Sequence, residues 1–244
     1  DVFSNTRRTC RDASRRSMTQ LHEHTTAHAI RAAQLREATV FSAAFSPCGK
    51  FLVAGSSLGR VSVWILARAT QSDAGTPALV LSAHACCIYT LTFGEASGEV
   101  VLFTGGTDEV RGWRWSTLAG AAIAAPAAAP ARLNAASSGV RFLALCAARR
   151  EIPQFAASQH VVPETNGLSI SGGYVHAAMG DGVARTWDLA SGKIIREFVG
   201  HTGFLHAVVT LGASGEIATG SEDGTVRLWD VRSAGCVDVV HPSS

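Results

Sequence analysis

The chain has 244 residues, of which 47% are hydrophobic and 16% charged. This balance predicts a folded protein with a sizeable core and excludes an intrinsically disordered chain. The net charge is only +2, no run of 18 or more strongly apolar residues predicts a membrane span, and no basic stripe marks the repeat region as a nucleic-acid surface.

Residues 1–38 are expected to form an Arg/Ser-rich extension, because residues 1–40 contain seven arginines against four acids. This composition fits either a transit peptide or a disordered nuclear arm, and both alternatives stay open. The chain begins with Asp1, so its true start is expected to be missing. A metal site is not expected from the His22, Glu23, His24 and His28 group, which we interpret as solvated side chains, and no cofactor is predicted.

The first predicted blade covers residues 39–83 and the second covers 84–117. Each contains short β-type runs, and Ser46–Lys50 supplies a Pro/Gly turn between the first two. An insert over 118–161 follows, whose Ala-rich start contains Pro126 and Pro130 and is interpreted as a linker. The six cysteines form no Cys-x-x-Cys pair and are expected to be buried free thiols in a reducing compartment.

The third and fourth predicted blades cover 162–200 and 201–241 and carry the strongest repeat signal. Both contain a strand that ends in Trp-Asp, and the two tryptophans, Trp187 and Trp229, are 42 residues apart. Gly200-His201 lies between them. A period that starts with Gly-His and ends with Trp-Asp resembles a blade of the WD-repeat β-propeller family, which implies four short strands in each unit.

The predicted fold class is therefore all-β, a WD40-type β-propeller with about four blades in the WD-repeat region 39–244. The resemblance implies about seven blades, so we expect an incomplete, open part of a seven-bladed propeller. Closure removes sheet edges. A ring closed at four blades, with the strand near Val237 paired to the first blade, would contradict this expectation.

The WD-repeat resemblance also implies a hydrogen-bonded tetrad within each blade, since a buried indole N–H and a buried hydroxyl both need partners. The residues that match this tetrad in the fourth and second blades are His201, Thr219, Asp223, Trp229, His84, Thr104, Asp108 and Trp113. The third blade keeps Asp181 and Trp187 but has Ala177 at the hydroxyl position, and the first keeps only Trp64.

No enzyme is predicted. The set His201, Thr219 and Asp223 contains residue types that could relay a proton, but a catalytic nucleophile must be exposed beside an oxyanion hole. The repeat pattern instead buries these side chains within a blade. The sequence also contains no Gly-x-Ser-x-Gly elbow, phosphate-binding loop or zinc-ligand spacing.

Segments in a definite order resemble the THO complex subunit 6 family. They are Phe45–Gly55, Val110–Trp115, Val162–Asn166 and the Gly200–Thr202 start of the last blade. The resemblance covers roughly residues 32–240, interrupted by the insert. It implies a non-enzymatic scaffold subunit of the nuclear THO/TREX assembly for mRNA processing and export, with other THO subunits as partners and no membrane association.

Two alternatives remain. Trp229, Asp230 and Arg232 resemble a DWD box, which implies that Arg232 contacts the adaptor of a cullin-4 ubiquitin ligase; Arg232 could equally cap a surface turn. A propeller that contacts RNA is the other alternative, with the strand arginines Arg111, Arg114, Arg185 and Arg227 as candidates. Strand arginines are more often solvated on a sheet face, so indirect RNA contact is the expectation.

Overall fold

The structure is a computed structural model that describes residues 38–68, 75–107, 109–126, 129–145, 163–212 and 215–242. Within them, the chain forms four sheets and one α-helix. The first sheet contains β1 (Val40–Phe45), β2 (Phe51–Ser56), β3 (Arg60–Ile65) and β4 (Leu79–Ser82). The second contains β5 (Ile88–Ala96), β6 (Glu99–Gly106), β7 (Val110–Arg114) and β9 (Arg141–Leu145).

The third and fourth sheets repeat the same four-strand order. The third contains β10 (Thr165–Ser171), β11 (Tyr174–Met179), β12 (Ala184–Asp188) and β13 (Ile194–Phe198). The fourth contains β14 (Leu205–Leu211), β15 (Glu216–Ser221), β16 (Val226–Asp230) and β17 (Cys236–Val240). The four core strands of each sheet pair antiparallel in sequence order, which is the arrangement of a propeller blade. The expected all-β class is confirmed.

The insert differs from the expected linker. Helix α1 (Trp115–Ala124) follows β7 directly, and β8 (Ala131–Asn134) pairs in parallel with β4 as a fifth strand of the first sheet. Alanine has the highest helix propensity, and the helix is held because Trp115, Leu118 and Ala122 are buried in a cluster that residues of the first and second sheets both form. The strand that completes the second sheet, β9, also comes from within 118–161.

The core lies between successive sheets, because the second, third and fourth sheets each bury a tryptophan against the preceding sheet. Trp113 packs with residues of the first sheet, Trp187 with the second and Trp229 with the third. Each of the three indoles is at most 1% exposed. A fully buried aromatic side chain stabilises a fold by several kcal/mol, roughly 3–5 on replacement by Ala, so these residues hold the sheets in series.

The described strands form an open series and not a ring closed at four sheets. The strand β17 pairs only with β16 in this part of the chain, and inter-sheet contacts run from the first sheet through the second and third to the fourth. The expected open arrangement is therefore observed. At the two ends of the series, Phe45 is 64% exposed and Val209 is 49% exposed.

The described cysteines do not match the expectation of burial. Cys48, Cys86 and Cys236 are exposed and Cys87 is half-buried, and all four are free thiols. They lie in turns and at the outer strand of a sheet, where the repeat places no core position. Among the described helical residues, no segment is long and apolar enough to cross a bilayer.

Candidate partner-binding surfaces

The fourth sheet brings all four predicted tetrad residues together. The Trp229 indole Nε1–H donates to Thr219 Oγ1 over 2.8 Å, His201 Nε2 lies 2.8 Å from the same hydroxyl, and His201 Nδ1 lies 2.8 Å from Asp223 Oδ2. A histidine protonated on Nδ1 satisfies the whole chain, since Thr219 then donates to Nε2 and Nδ1–H donates to Asp223. The set links β15 and β16 with the segment before β14 and the turn between β15 and β16.

The Asp223 carboxylate is the most heavily hydrogen-bonded group of this set. Burial raises its pKa, but hydrogen bonds from the Thr225 hydroxyl, His201 and the backbone N–H groups of Thr202 and Thr225 outweigh burial and hold the pKa of Asp223 well below its usual range. A carboxylate that accepts several hydrogen bonds stays ionised. Asp223 is thus a fixed anion that anchors His201 and the turn before β16.

The second sheet repeats part of this geometry. His84 Nε2 lies 2.8 Å from Thr104 Oγ1, and the Trp113 Nε1–H donates to the same oxygen over 2.9 Å. Asp108, the predicted fourth member, lies outside the described residues. Thr104 and Trp113 are 0% exposed and His84 is 7% exposed. Neither hydroxyl faces solvent, so the arrangement offers no exposed nucleophile of the kind that hydrolysis needs.

The third sheet replaces the tetrad with a buried ion pair. Arg185 is 1% exposed and donates through both terminal nitrogens to the Asp181 carboxylate, and its Nε donates to Glu197 over 3.0 Å. His176 Nδ1 lies 2.7 Å from Thr186 Oγ1, and burial lowers the pKa of His176 to about 4. Asp181 stands at the position of Asp223 in the fourth sheet. Asp223 accepts from a histidine, whereas Asp181 accepts from an arginine.

The arginines proposed for RNA contact occupy different environments. Arg111, Arg185 and Arg227 stand at the same register position, opposite Thr104, Ala177 and Thr219. Arg185 is buried in its ion pair, and Arg111 pairs with Glu109. Arg114, at the end of β7, pairs with Glu99. Arg185 therefore cannot reach an RNA phosphate, and these side chains do not form a basic stripe.

A feature that sequence reasoning missed repeats in all four sheets. The first strand of each sheet (β1, β5, β10 and β14) carries a β-bulge at its second residue, where the pairing with the next strand skips one position. A bulge leaves the extra residue unpaired and re-aims its side chain. The four extra residues are Phe41, Tyr89, Asn166 and His206. We call the edge of the sheets that carries these four residues the bulge edge.

Three of the bulge residues contact a neighbouring sheet, and the fourth, His206, pairs within its own sheet. The Phe41 ring contacts the Tyr89 ring at a centroid distance of 5.5 Å, and Asn166 Nδ2 donates to the Leu205 carbonyl over 2.9 Å. His206 Nε2 lies 2.8 Å from Glu222 Oε1, and both side chains are about half exposed, 56% and 51%. The bulge edge therefore presents aromatic and ionisable groups in a fixed order. In the second and fourth sheets the bulge residue comes five positions after the blade-opening histidine, a spacing that could have identified it.

The opposite edge contains the Trp-Asp turns, and we call it the Trp-Asp edge. Asp230 Oδ1 accepts from the Arg232 N–H over 2.9 Å, and Asp188 Oδ1 accepts from the Ala190 N–H over 2.6 Å. The Arg232 N–H is the main cause that lowers the pKa of Asp230 below its usual range. Both aspartates thus hold turns in the same way.

The predicted partner-binding residues on this edge have unequal access. Trp229 is 1% exposed, so it packs in the core and offers no surface to a partner, contrary to its inclusion among the candidates. Asp230 is committed to its turn. Arg232 is exposed and lines a cleft of about 700 Å³ between the third and fourth sheets. The Arg196 guanidinium donates to the Arg232 carbonyl over 2.9 Å and fixes this turn against the third sheet.

Among the described residues, no group of three or more His, Cys, Asp and Glu side chains is placed to hold a metal ion. The His22, Glu23, His24 and His28 group lies outside the described residues. The polar side chains that converge, in the second, third and fourth sheets, are those of the tetrads and the ion pair.

Comparison with known proteins gives a consistent identification of the repeats. The family model for the "WD domain, G-beta repeat" matches residues 19–64 and 192–230. Two solved structures, titled "Structure of U3-55K" and "Crystal Structure of Mitotic Checkpoint Complex", align with TM-scores of 0.58 and 0.60 at 13% and 17% identity. They cover 85% of this chain and 53% and 52% of theirs, and at such identities they speak for the fold alone.

Curated relatives share more of the sequence than the two solved structures do. THO complex subunit 6 homolog of Mus musculus is 31% identical over 85% of this chain and 55% of its own length. THO complex subunit 6 of Homo sapiens is 31% identical over 84% and 54%, and that of Arabidopsis thaliana is 35% identical over 67% and 43%. The chain spans about half the length of these curated relatives.

Proposed function

This chain belongs to the WD-repeat proteins and resembles THO complex subunit 6, and we propose that it is a non-enzymatic interaction scaffold in a THO-type nuclear assembly. The observation that carries this proposal is the similarity to THO complex subunit 6 across most of the chain. In this proposal the chain acts in mRNA processing and export, within the THO/TREX machinery, by contacting other protein subunits.

The architecture supports a scaffold. The converging polar side chains of the second and fourth sheets are used to join strands within each sheet, and those of the third sheet form a buried ion pair. Exposed aromatic and charged groups line the bulge edge, where Phe41 and Tyr89 meet between two sheets and His206 pairs with Glu222 within the fourth. A rigid surface with aromatic anchors and a polar rim suits recognition of another protein.

Affinity purification tests the THO role. The tagged chain is expressed in cells of its source organism, recovered from nuclear extract with and without ribonuclease, and analysed by quantitative mass spectrometry. We expect co-enrichment of THO complex subunits that survives ribonuclease, because the contacts are between proteins. Recovery of soluble, folded chain with no THO subunit above an untagged control would refute the proposal, and enrichment that disappears with ribonuclease would point to RNA-bridged association.

A second candidate function rests on Arg232. Its exposed side chain extends from a turn whose backbone is held by Asp230 and Arg196, and this turn would present the guanidinium to the adaptor of a cullin-4 ligase. A guanidinium binds bidentately in a way that lysine cannot reproduce. We expect Arg232→Ala to lose adaptor pull-down and Arg232→Lys to recover little, while Lys193→Ala, an exposed cation on the corresponding turn of the third sheet, binds as wild type. Undiminished binding by Arg232→Ala removes the ligase role.

A further inference from the structure

Two aromatic rings meet on the bulge edge where the first and second sheets adjoin. Phe41 is 48% exposed, and its ring lies 5.5 Å from the half-buried Tyr89 ring at an interplanar angle of 42°. Both residues are the extra residues of their bulges, so the backbone and not a flexible loop aims them. The bulges therefore determine which way both rings point, and the Phe41 ring remains about half exposed.

The carboxylate of Glu164 lies beside one ring of this pair, that of Tyr89. Glu164 immediately precedes β10, and the adjacent Thr165 packs where the second and third sheets meet: a Cβ added at Gly105 would touch both Thr165 and Thr90. The Glu164 side chain lies over Gly180, which has no side chain to obstruct it, and the Gly180 N–H donates to the Glu164 carbonyl over 2.8 Å. Burial, the Glu164 charge and Cys87 together raise the pKa of Tyr89 to about 12.

Glu164 differs from the other acids of the bulge edge in having no cation partner. Glu109 pairs with Arg111, and Glu222 pairs with His206. No ion pair joins Glu164 to any described residue, and its carboxylate has acceptor capacity beyond what the Tyr89 hydroxyl can fill. Among the described residues, the Glu164 carboxylate therefore lies next to Tyr89 without a cation partner.

We propose that Phe41, Tyr89 and Glu164 form a binding site for an arginine side chain of a partner protein. The guanidinium would stack on the aromatic faces, where the ring quadrupole attracts a cation, while its N–H groups donate to the Glu164 carboxylate. Arginine fits better than lysine because its planar group can do both at once. This inference rests on the proposed function and specifies the chemistry of the partner.

Single-stranded RNA is the competing occupant, since bases also stack on exposed aromatic rings. The charge at this place disfavours it, because phosphates would approach the Glu164 carboxylate, which has no cation partner among the described residues. The exposed His206 and Glu222 side chains on the same edge already pair with each other. RNA binding gains its affinity from cations that neutralise phosphates, and the site supplies an anion. An arginine-bearing peptide has the complementary charge.

The test uses the full chain and a fluorescein-labelled, amidated Gly-Arg-Gly-Arg-Gly peptide in an anisotropy titration at low salt. The same titration is made with a peptide in which glutamine replaces arginine, and with a labelled oligouridylate. We expect Glu164→Gln and Tyr89→Ala each to weaken arginine-peptide binding roughly fivefold, the order expected for one cation–π or ion-pair contact, and 0.5 M salt to weaken it further.

Matched controls keep the result specific. Glu95→Gln and Tyr174→Ala make the same chemical changes on the Trp-Asp edge, where Glu95 is exposed and Tyr174 is 37% exposed, and both should bind as wild type. Tyr89→Phe keeps the ring and should retain most of the binding, and it serves where Tyr89→Ala does not fold. Equal binding by wild type and Glu164→Gln, or equal binding of both peptides, overturns the inference.

The RNA arm separates the two occupants. Oligouridylate that binds more tightly than the arginine peptide, and still more tightly to Glu164→Gln, also overturns the inference and assigns the aromatic pair to nucleic acid. Co-purification of THO subunits by the wild-type chain is scored independently. If it persists while the peptide result is negative, the arginine site fails and the scaffold proposal stands; if it fails as well, both are rejected.

Discussion

Replacing Thr219 with Val should destabilise the fold strongly although the two side chains have nearly the same shape. The Thr219 hydroxyl bridges the Trp229 indole N–H and His201 Nε2, each at 2.8 Å, and Thr219 is only 1% exposed. Valine removes the hydroxyl without opening a cavity, so both former partners lose a hydrogen bond in a place that water does not reach.

The magnitude follows from the two orphaned groups. A buried donor or acceptor left without a partner costs about 1–3 kcal/mol, and the added methyl group returns part of this through the hydrophobic effect. We therefore expect the free energy of unfolding to fall by about 2–4 kcal/mol, a large fraction of the roughly 5–15 kcal/mol typical of a domain.

Urea unfolding followed by far-UV circular dichroism measures this change, with the slope of the transition compared between variants. The control is Thr92→Val on β5, because Thr92 is half-buried and its hydroxyl makes no hydrogen bond with any described residue. It should shift the free energy by less than about 0.5 kcal/mol. If both variants unfold at the same urea concentration, the tetrad does not stabilise the fourth sheet and the reasoning is wrong.

Three further predictions concern the same networks. Arg185→Gln should lower the free energy of unfolding by about 3 kcal/mol or more, because it leaves the Asp181 carboxylate buried without its cation. Arg227→Gln at the equivalent position should cost far less, since Arg227 Nε has no hydrogen-bond partner among the described residues; equal losses would contradict the pairing argument. The folded-state pKa of His176, about 4, lies below the value of about 6.5 in the unfolded chain. The contribution of neutral His176 is therefore complete above pH 6.5, and the free energy of unfolding should fall as the pH drops from 6.5 to 4. His176→Gln, titrated beside wild type, should flatten that slope. Asp223 has a depressed pKa, so its contribution should be lost as the pH drops below about 4, and a chemical-denaturation series of Asp223→Asn should show a smaller loss there; a wild-type slope in that variant would assign the loss to other carboxylates.

The repeat spacing was sufficient to predict the sheets and much of their hydrogen bonding. The Gly-His and Trp-Asp positions identified His201, before the first strand of the last blade, and Thr219 and Trp229 on adjacent strands, and the structure has both hydrogen-bond distances of this set at 2.8 Å. Such a set can be read from sequence because a period-2 strand pattern and a fixed turn length determine which side chains share a face. Residues with no periodic signal were harder to place.

The third sheet and the insert show where that limit lies. Ala177 at the hydroxyl position indicated a missing tetrad. The ion pair that replaces it includes Glu197, which stands opposite Arg185 on the neighbouring strand β13. Helix α1 was missed because its Ala-rich sequence carries no amphipathic stripe, and it is held by three residues buried against the first and second sheets. Tertiary contacts decided both features.

The bulge edge was also absent from the sequence prediction. A bulge shifts the backbone register by one residue, which a residue pattern does not report. Once the register is known, Phe41, Tyr89, Asn166 and His206 fall on one edge, and the candidate surface moves away from Trp229 and Asp230 to that edge. The Trp-Asp turns remain essential, but mainly as architecture.

The central claim, that the bulge edge binds the protein partners of a THO-type scaffold, is tested most directly by nuclear co-purification of two double variants. Tyr89→Ala with His206→Ala alters the bulge edge, and Tyr174→Ala with Lys193→Ala alters the Trp-Asp edge to a matched extent. With folding verified by circular dichroism, we expect at least a fivefold loss of THO subunits for the first variant and wild-type recovery for the second. Wild-type recovery by the bulge-edge variant, or loss confined to the Trp-Asp-edge variant, would contradict it.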